Sequence, residues 1–460
     1  MKVVKKVLAG LLAVACVAPA LAGCNNEESQ TVKQFEVWSP DSHSKNVMLK
    51  LVDEWNQSRG KELGVEIVYT VKEGDIQQAT EMAFASDQGP EMFNSCLIEK
   101  NRVAGNIISY EDIEGGKEWI ESTYKPEDYD GSAFKGEDGK IYCLPFNVNT
   151  FGLVYNKDMF KKYGIVDENG EPTPPTTFEE VREYAKRMTN PEEQDYGIIF
   201  PMKWSAFFST DVAQLMIGSC GKQTFDCVTG EYNYEPMKPI FEMYMGIKED
   251  GSCFPGSESL DNDTARAYFA ERNIGMKFAG SFDVGVFNSQ FPAKCDWGVA
   301  PYPVADENNK YLQHMGKGGW YAMSKHAVEE FGDAVALEIA QFFYGDEMVR
   351  KLYAEGMAIP YDSSKVEGVE IADGLKGWAE FAALTEISTG GYSNASRDFT
   401  GEKNEQQVFL EDLWSGNSTI DEVIADLTTR SNAAVERYYA NNPDKNFNTL
   451  LKTEWDVSRG

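Results

Sequence analysis

Two periodicities alternate near the start of the chain and predict a sheet covered by helices. Apolar and polar residues alternate over residues 31–39, as in a half-buried strand, whereas Val47, Leu51 and Trp55 recur at the spacing of one helix face. The next segments continue the alternation: a strand at 65–71, a helix at 76–86 and a third strand after Gly89. This order predicts a parallel sheet in an α/β fold, with ligand bound beyond the carboxyl ends of the strands.

A second block of elements begins near residue 150 and predicts a second lobe. Thr177 is a predicted helix N-cap, because Glu179 and Glu180 follow it in the first turn. Helices dominate after Val328. The other predicted elements of this block are a strand at 151–155, helices at 156–163 and 178–188, and a strand at 273–278. A chain of 460 residues exceeds what one average core needs, so two lobes are expected.

The first 31 residues have the pattern of an export signal followed by a tether. Lysines at positions 2, 5 and 6 precede an uncharged apolar stretch, 7–22, that is short for a membrane span. The stretch leads into Leu-Ala-Gly-Cys at 21–24, which resembles the lipobox of bacterial lipoproteins, so we expect a signal peptide at 1–23 and lipid on Cys24. Residues 24–31 are polar and predict a flexible tether. The alternatives are an ordinary cleaved signal with a chance cysteine, or a buried apolar strand.

Charge and cysteine content narrow the choice of partners. The formal net charge of −31 repels phosphate backbones and argues against nucleic acid as a ligand. Six cysteines remain beyond Cys24 without a Cys-x-x-Cys pair, and His43, His314 and His326 do not cluster with them. We therefore expect no metal site and no cofactor. Disulfide pairing of the six cysteines stays open.

Four segments carry a family resemblance, and they occur in the order that the family requires. They are Ala-Ser-Asp-Gln-Gly-Pro-Glu-Met at 85–92, Leu-Val-Tyr-Asn-Lys-Asp-Met-Phe at 153–160 with Pro-Pro-Thr-Thr-Phe-Glu-Glu at 174–180, Gly-Met-Lys-Phe-Ala-Gly-Ser-Phe at 275–282, and Gly-Lys-Gly-Gly-Trp at 316–320. Together they resemble the extracellular solute-binding proteins of carbohydrate ABC importers, the group that includes the maltose-binding protein. Glu91, Thr176 and Phe178 depart from the family pattern.

The resemblance implies an α/β fold of the periplasmic-binding-protein-like type II, in which two lobes joined by hinge strands close over a ligand. It places 32–148 and 298–318 in the first lobe, and 149–297 and 319–460 in the second lobe. Crossovers are expected near 147–150, 295–299 and 316–320. It further implies a monomeric receptor, not an enzyme, that captures a carbohydrate, an oligosaccharide by preference, and delivers it to permease subunits of an ABC transporter. Its lipid would hold it at the outer face of the cell membrane.

A sugar presents apolar C–H faces and outward hydroxyls, so its site needs aromatic rings and planar polar side chains. The candidate ligand contacts are loop residues of these types that periodicity does not explain. They are Trp38, Asp41, His43, Asn94, Ser95, Asn149, Trp204, Phe282, Trp320, Tyr392 and Arg397. No catalytic residue is assigned.

Trp320 is the strongest aromatic candidate, because three glycines in the four residues before it permit close approach of the backbone. Trp38 lies at the end of the first predicted strand, and the alternative interpretation is that its side chain packs in the core. Phe282 stands where relatives carry a stacking Trp. Tyr392 and Arg397 lie in a polar, glycine-containing loop, and such loops often carry function.

Other classes of protein stay open. A lipid-anchored glycoside hydrolase would also be acidic and rich in aromatic residues, and with 74 Asp and Glu the abundance of carboxylates is uninformative. No Gly-x-Ser-x-Gly, His-Glu-x-x-His or P-loop motif occurs. The remaining alternatives are a binding protein for a non-sugar solute and a lipid-anchored adhesion or structural protein.

Overall fold

The computed structural model describes residues 32–72, 75–129, 133–443 and 445–455. The predicted signal peptide, Cys24 and the predicted tether up to residue 31 lie outside the described residues. The strands are β1 (Lys33–Ser39), β2 (Val65–Val71), β3 (Met92–Asn94), β4 (Ile107–Ile108), β5 (Pro145–Asn156), β6 (Tyr196–Ile198), β7 (Phe225–Asp226), β8 (Glu231–Tyr232), β9 (Ile274–Gly280), β10 (Trp297–Ala300), β11 (Gln313–Gly319), β12 (Tyr321–Ser324), β13 (Ile359–Pro360) and β14 (Ser388–Gly390). The α-helices are α1 (Lys45–Trp55), α2 (Lys61–Leu63), α3 (Ile76–Ala85), α4 (Ile98–Ala104), α5 (Gly116–Thr123), α6 (Lys157–Lys162), α7 (Phe178–Arg187), α8 (Leu215–Cys220), α9 (Lys238–Glu249), α10 (Asn262–Glu271), α11 (Asp283–Gly285), α12 (Lys325–Phe331), α13 (Asp333–Tyr344), α14 (Asp346–Ala354), α15 (Trp378–Ala383), α16 (Glu405–Val408) and α17 (Ile420–Asn441).

Within the described residues, five strands form the first sheet, in the order β2-β1-β3-β12-β4. β1 runs parallel to β2 and β3, while β12 runs antiparallel to β3 and β4. Phe35, Val37 and Ile67 on β1 and β2 are buried beneath the covering helices. The parallel α/β unit expected from the periodicity at the start of the chain is therefore present.

In the same described ranges, seven strands form the second sheet, with the path β14-β11-β5-β9-β6 and with β10 and β13 also paired to β5. β5 has twelve residues, so the strand predicted at 151–155 is only its second half. β9 lies between β5 and β6, and all seven of its residues are buried. A strand buried on both faces is mostly apolar, and Lys277 is the exception in β9, where its ammonium donates to the Phe278 carbonyl at 2.8 Å.

The start of α7 shows how local sequence fixes an element boundary. The Thr177 hydroxyl accepts a hydrogen bond from the Glu180 backbone N–H at 3.2 Å, and the Glu180 carboxylate accepts one from the Thr177 N–H at 3.2 Å. This reciprocal pair is a capping box, which satisfies two amides that a helix end would otherwise leave without partners. The predicted N-cap at Thr177 is confirmed.

Within the described residues the chain crosses between the two lobes at three places. Phe146 packs in the core of the first lobe and Val148 in a core of the second lobe, so the first crossing falls inside β5. β11 runs back antiparallel to β5, and Trp320 directly after it packs in the first core. The third crossing joins Ala358 in the first core to Ile359 in the second.

The predicted lobe boundaries in the second half of the chain need correction. β10, predicted to be in the first lobe and at a crossover near 295–299, pairs antiparallel with β5 in the second sheet. Residues 319–357, predicted to be in the second lobe, include β12 in the first sheet and the helices α12, α13 and α14. Apolar faces of these helices cover that sheet, with Ile339, Phe343 and Leu352 buried in its core.

All six cysteines beyond Cys24 fall in the described ranges, and none of them is paired. The described parts of both lobes are therefore held by packing and hydrogen bonds without cross-links among these thiols. No helix in the described part of the chain is both long and apolar enough to cross a membrane.

Candidate functional site

A cavity of about 1010 Å³ opens beside β11, where the chain passes between the lobes. Ala133 and Phe134 line it from the first lobe, and residues 314–317 line it from β11. The second lobe supplies the remaining wall from Tyr232 and from residues within 205–224, 390–399 and 404–406. Its volume lies at the upper end of the range for small-molecule sites, which are about 300–1,000 Å³.

One wall of the cavity is built by the π-helical turn Phe208–Val212 and the residues before α8. Phe208 and Ser209 from the turn and Gln214 from the α8 N-cap position line the cavity. Gln406 holds this wall against the loop before it. Its side-chain carbonyl accepts from the Phe208 N–H at 3.4 Å, and its amide donates to the Trp204 carbonyl at 2.9 Å.

The opposite wall is the loop that follows β14. Gln223 fixes it, because its amide donates to the Tyr392 carbonyl at 3.0 Å and to Asn394 Oδ1 at 2.9 Å. The Tyr392 hydroxyl donates to the Phe225 carbonyl at 2.5 Å, and its ring packs edge-on against Trp455. These contacts hold an aromatic ring and several amides at the cavity surface.

Arg397 lies in the cavity wall with its charge already paired. Its guanidinium donates to Glu405 Oε1 at 2.5 Å and to the Tyr234 hydroxyl at 2.9 Å, and lies 4.3 Å from the centre of the Tyr232 ring. The adjacent carboxylate raises the pKa of Arg397 further above its ordinary value, against the opposing effect of burial. The pair presents little net charge to a ligand.

His314 lines the cavity from β11, and Phe151 on β5 packs against it from the core. The two rings are stacked with centroids 6.1 Å apart and planes inclined by 21°. Burial lowers the pKa of His314 to about 4, so its imidazole is neutral at physiological pH. On the neighbouring strand Asn149 is opposite Gly316, another residue of the cavity lining.

Of the residues predicted from sequence, Tyr392 and Arg397 line this cavity. Asn149 and Trp204 lie beside lining residues, with Trp204 partly buried against the core of the second lobe. Phe282 is also partly buried, 6.2 Å from Phe151 in an edge-on contact. These five residues are brought to the same region of the molecule, although only two of them form its surface.

The candidates from the ends of β1 and β3 do not line the cavity. The Asn94 amide donates to Asp41 Oδ2 at 2.8 Å, and Ser95 follows on the surface with a positive φ of 60°. Trp38 is 8% exposed in the core, so its alternative position is the one found. His43 lies near Asp41, Arg266 and Asp283, and burial lowers its pKa.

Trp320, the strongest aromatic candidate, is also placed in a core. It is 6% exposed and stacks on Phe146 with centroids 4.5 Å apart and planes inclined by 13°. The glycines before it serve the hinge strand instead: a Cβ at Gly319 would lie 2.4 Å from the Ala133 carbonyl oxygen. The glycines do permit a close approach, but the approach is between the backbones of Gly319 and Ala133 and does not involve a ligand.

The residues missed from sequence are mostly amides and small polar side chains. Gln214, Gln223, His314, Asn394 and Gln406 all lie in the cavity lining. None belongs to a motif, and most occur in irregular segments where neither helical nor strand periodicity distinguishes an inward side chain. Within the described residues no group of three or more His, Cys, Asp or Glu side chains is arranged to hold a metal ion.

Two α/β lobes, joined by antiparallel hinge strands and enclosing a large cavity beside them, define a hinged ligand-binding protein. Residues 41–386, more than half of the chain, match the family model of the bacterial extracellular solute-binding proteins. The chain belongs to that family.

Three relatives that are named for their ligands match this chain over part of their length. The maltotriose-binding protein of Pyrococcus abyssi is 26% identical over 311 residues, which are 67% of this chain and 62% of the relative. The maltodextrin-binding protein MdxE of Bacillus subtilis is 24% identical over 42% of this chain and 44% of the relative. The sn-glycerol-3-phosphate-binding protein UgpB of Brucella abortus is 29% identical over 40% of this chain and 42% of its own length. The chain thus spans less than two thirds of these relatives.

Solved structures agree over nearly the whole fold. An ABC substrate-binding protein of Listeria monocytogenes in complex with cycloalternan has a TM-score of 0.67 at 14% identity, covering 89% of this chain and 99% of that one. The maltose/maltodextrin-binding domain MalE of Bdellovibrio bacteriovorus bound to maltotriose has a TM-score of 0.62 at 17% identity, covering 90% and 100%. The predicted fold, type II periplasmic-binding-protein-like, is confirmed.

Proposed function

We propose that this chain captures an oligosaccharide in the cavity beside β11 and releases it, uncleaved, to the permease subunits of an ABC importer. The observation that carries the proposal is the chemistry of the cavity wall. It combines aromatic rings, among them Tyr392 and Phe399, with the amides of Gln214, Gln223 and Asn394. Rings cover the C–H faces of a sugar and amides pair with its hydroxyls, so this mixture suits a neutral carbohydrate.

An anionic solute is the second candidate, because UgpB is named for binding sn-glycerol 3-phosphate. Two cations line the described cavity wall: the Arg397 guanidinium is already bound to Glu405 at 2.5 Å, and the Lys317 ammonium lies 5.4 Å from the centre of the Tyr361 ring. A phosphate would have to compete with that carboxylate. The relatives named for maltotriose and maltodextrin, and the neighbours solved with cycloalternan or maltotriose, support the sugar.

Binding without cleavage is supported by the carboxylates of the cavity. Glycoside hydrolysis generally requires two, one as acid and one as base or nucleophile. Among the described lining residues Glu405 is the one carboxylate, and it is occupied by Arg397 and by the Tyr234 hydroxyl at 2.6 Å.

We further propose that the protein is a monomer held at the outer face of the cell membrane by lipid on Cys24, after removal of residues 1–23. The order of positive residues, apolar stretch and Leu-Ala-Gly-Cys supports this anchor. A tether of polar residues would let the lobes reach the permease.

The test is calorimetric titration of the purified protein with maltotriose, raffinose, stachyose, a xylo-oligosaccharide and sn-glycerol 3-phosphate, with chromatography of each sugar afterwards. Saturable binding of an intact oligosaccharide is expected. Binding of the phosphate ester alone would favour the anionic solute, and recovery of shortened sugars would establish an enzyme.

A further inference from the structure

Two residues of the described cavity lining each carry a buried polar atom without a hydrogen-bond partner: His314 at Nδ1 and Gln214 at Oε1. Their neighbours differ in this respect. The side chains of Gln223, Arg397 and Gln406 are all bonded within the protein. A buried polar atom without a partner costs free energy, and native proteins rarely keep one unless water or a ligand completes it.

We propose that His314 and Gln214 are the two residues that select the ligand by hydrogen bonds, and that the partner they require is a pair of sugar hydroxyls. This inference rests on the proposed function and assigns residues to it. The Gln214 carbonyl oxygen can only accept, so the group that meets it must donate a hydrogen. A hydroxyl does so, whereas an ionised phosphate or carboxylate does not.

The chemistry of His314 fits the same partner. Because burial keeps its imidazole neutral, one ring nitrogen donates and the other accepts. A hydroxyl can do either, so it satisfies Nδ1 in both tautomers. Stacking on Phe151 fixes the plane of the ring, and therefore the direction in which Nδ1 can form a hydrogen bond.

The surrounding fold holds the two side chains in a constant relation. α8, which begins directly after Gln214, packs against β11, which carries His314; a Cβ on Gly218 would lie 3.8 Å from the Gln313 Cβ. On the other side Gly391 leaves room for the imidazole, because a Cβ there would lie 3.3 Å from His314 Cε1. Both residues therefore belong to the same lobe, so closure of the lobes is not needed to bring them together.

This assignment predicts opposite effects on stability and on binding. His314→Phe keeps a ring to stack on Phe151 and removes the unpartnered nitrogen, so the ligand-free protein should melt at an unchanged or higher temperature. The same change removes a hydrogen bond to ligand, and affinity should fall about tenfold, which is about 1.4 kcal/mol. Gln214→Met, of similar length without the amide, should act in the same way.

The experiment uses the full chain and the sugar of the panel above that binds the unchanged protein most tightly. Dissociation constants are measured by calorimetry and melting temperatures by thermal unfolding without sugar. His314→Asn, which retains a polar atom near the position of Nδ1, should recover most of the affinity. His326→Phe is the matched control, because His326 pairs with Glu91 away from the cavity, and it should leave affinity unchanged.

Unaltered affinity in both His314→Phe and Gln214→Met would overturn the inference while leaving the proposed function intact. A drop in affinity with a parallel drop in melting temperature would also overturn it, since it would give the two residues a purely structural role. If the unchanged protein binds none of the sugars, the proposed function itself fails and the inference falls with it.

Discussion

Replacing Trp320 by alanine should lower the free energy of unfolding by about 4 kcal/mol, because truncating a buried Trp costs about 3–5 kcal/mol. The structure places this residue near the middle of that range. Its side chain is 6% exposed, stacks on Phe146 at 4.5 Å and meets Tyr321 edge-on at 4.8 Å. Removing it leaves a cavity beside Phe146 and Tyr321 that the surrounding core cannot fill by small shifts.

Trp320→Phe separates the contribution of the aromatic ring to stability from that of the indole nitrogen. The phenyl ring can still stack on Phe146. The indole nitrogen that the substitution removes is buried without a hydrogen-bond partner, so its removal eliminates the free-energy cost of burying it. The expected loss is about 1 kcal/mol. Trp204→Ala is the matched control in the second lobe, where the side chain is only partly buried, and it should cost less than Trp320→Ala.

Urea unfolding followed by circular dichroism measures these differences, with calorimetric titration of sugar on the same samples. The two lobes have separate cores and need not unfold together, so the loss should concentrate in the transition assigned to the first lobe. Stability near that of the unchanged protein, combined with abolished sugar binding, would refute the core assignment and return Trp320 to the ligand site.

Three further predictions address the anchor, the charge pair and a surface histidine. Cys24→Ala should release the protein into the medium, which cell fractionation measures; retention in the membrane would contradict lipidation. Arg397→Ala should lower the free energy of unfolding in urea by about 2–3 kcal/mol, less than for a fully buried ion pair, because the Arg397 and Glu405 side chains are 19% and 17% exposed. Adding Glu405→Gln to this variant should restore part of the lost stability. Glu91 raises the pKa of His326, so the ion pair between them stabilises the fold below pH 6.5 and loses this effect as pH rises through the raised pKa. His326→Ala should therefore lower the melting temperature more at pH 6 than at pH 9. Equal losses at the two pH values would contradict the pairing.

Local elements of this fold could be predicted from sequence because short-range rules decide them. The helical spacing after Pro40 matches α1, and the Thr177 cap matches the start of α7. The lobe boundaries after residue 297 could not be predicted in this way. Whether β10 pairs with β5 or with the first sheet depends on contacts between residues about 145 positions apart, which no local pattern records.

The candidate site was harder to predict for a related reason. An aromatic residue at the end of a strand can pack in a core or contact a sugar, and the sequence does not distinguish the two. Both Trp38 and Trp320 pack in a core. The polar side chains that line the cavity come from positions as distant as Gln214, His314 and Asn394, and only the folded chain brings them together. Loop polarity still identified Tyr392 and Arg397, because a glycine-containing polar loop has few reasons to carry an aromatic ring.

The two lobes contribute different numbers and kinds of residues to the described cavity wall. This difference limits how ligand binding and lobe closure can be coupled. The first lobe contributes Ala133 and Phe134, whereas the second lobe and β11 contribute the other aromatic rings, the amides and the two residues with unpartnered atoms. A ligand shifts a conformational equilibrium only by its difference in affinity for the two states. On the proposed function, ligand contacts within the second lobe would exist in both states and set affinity, and the few contacts from the first lobe would supply the preference for the closed form. Substitutions at His314 or Gln214 should therefore weaken binding without changing the extent of closure at saturation, whereas a bulkier residue at Ala133 should alter closure itself.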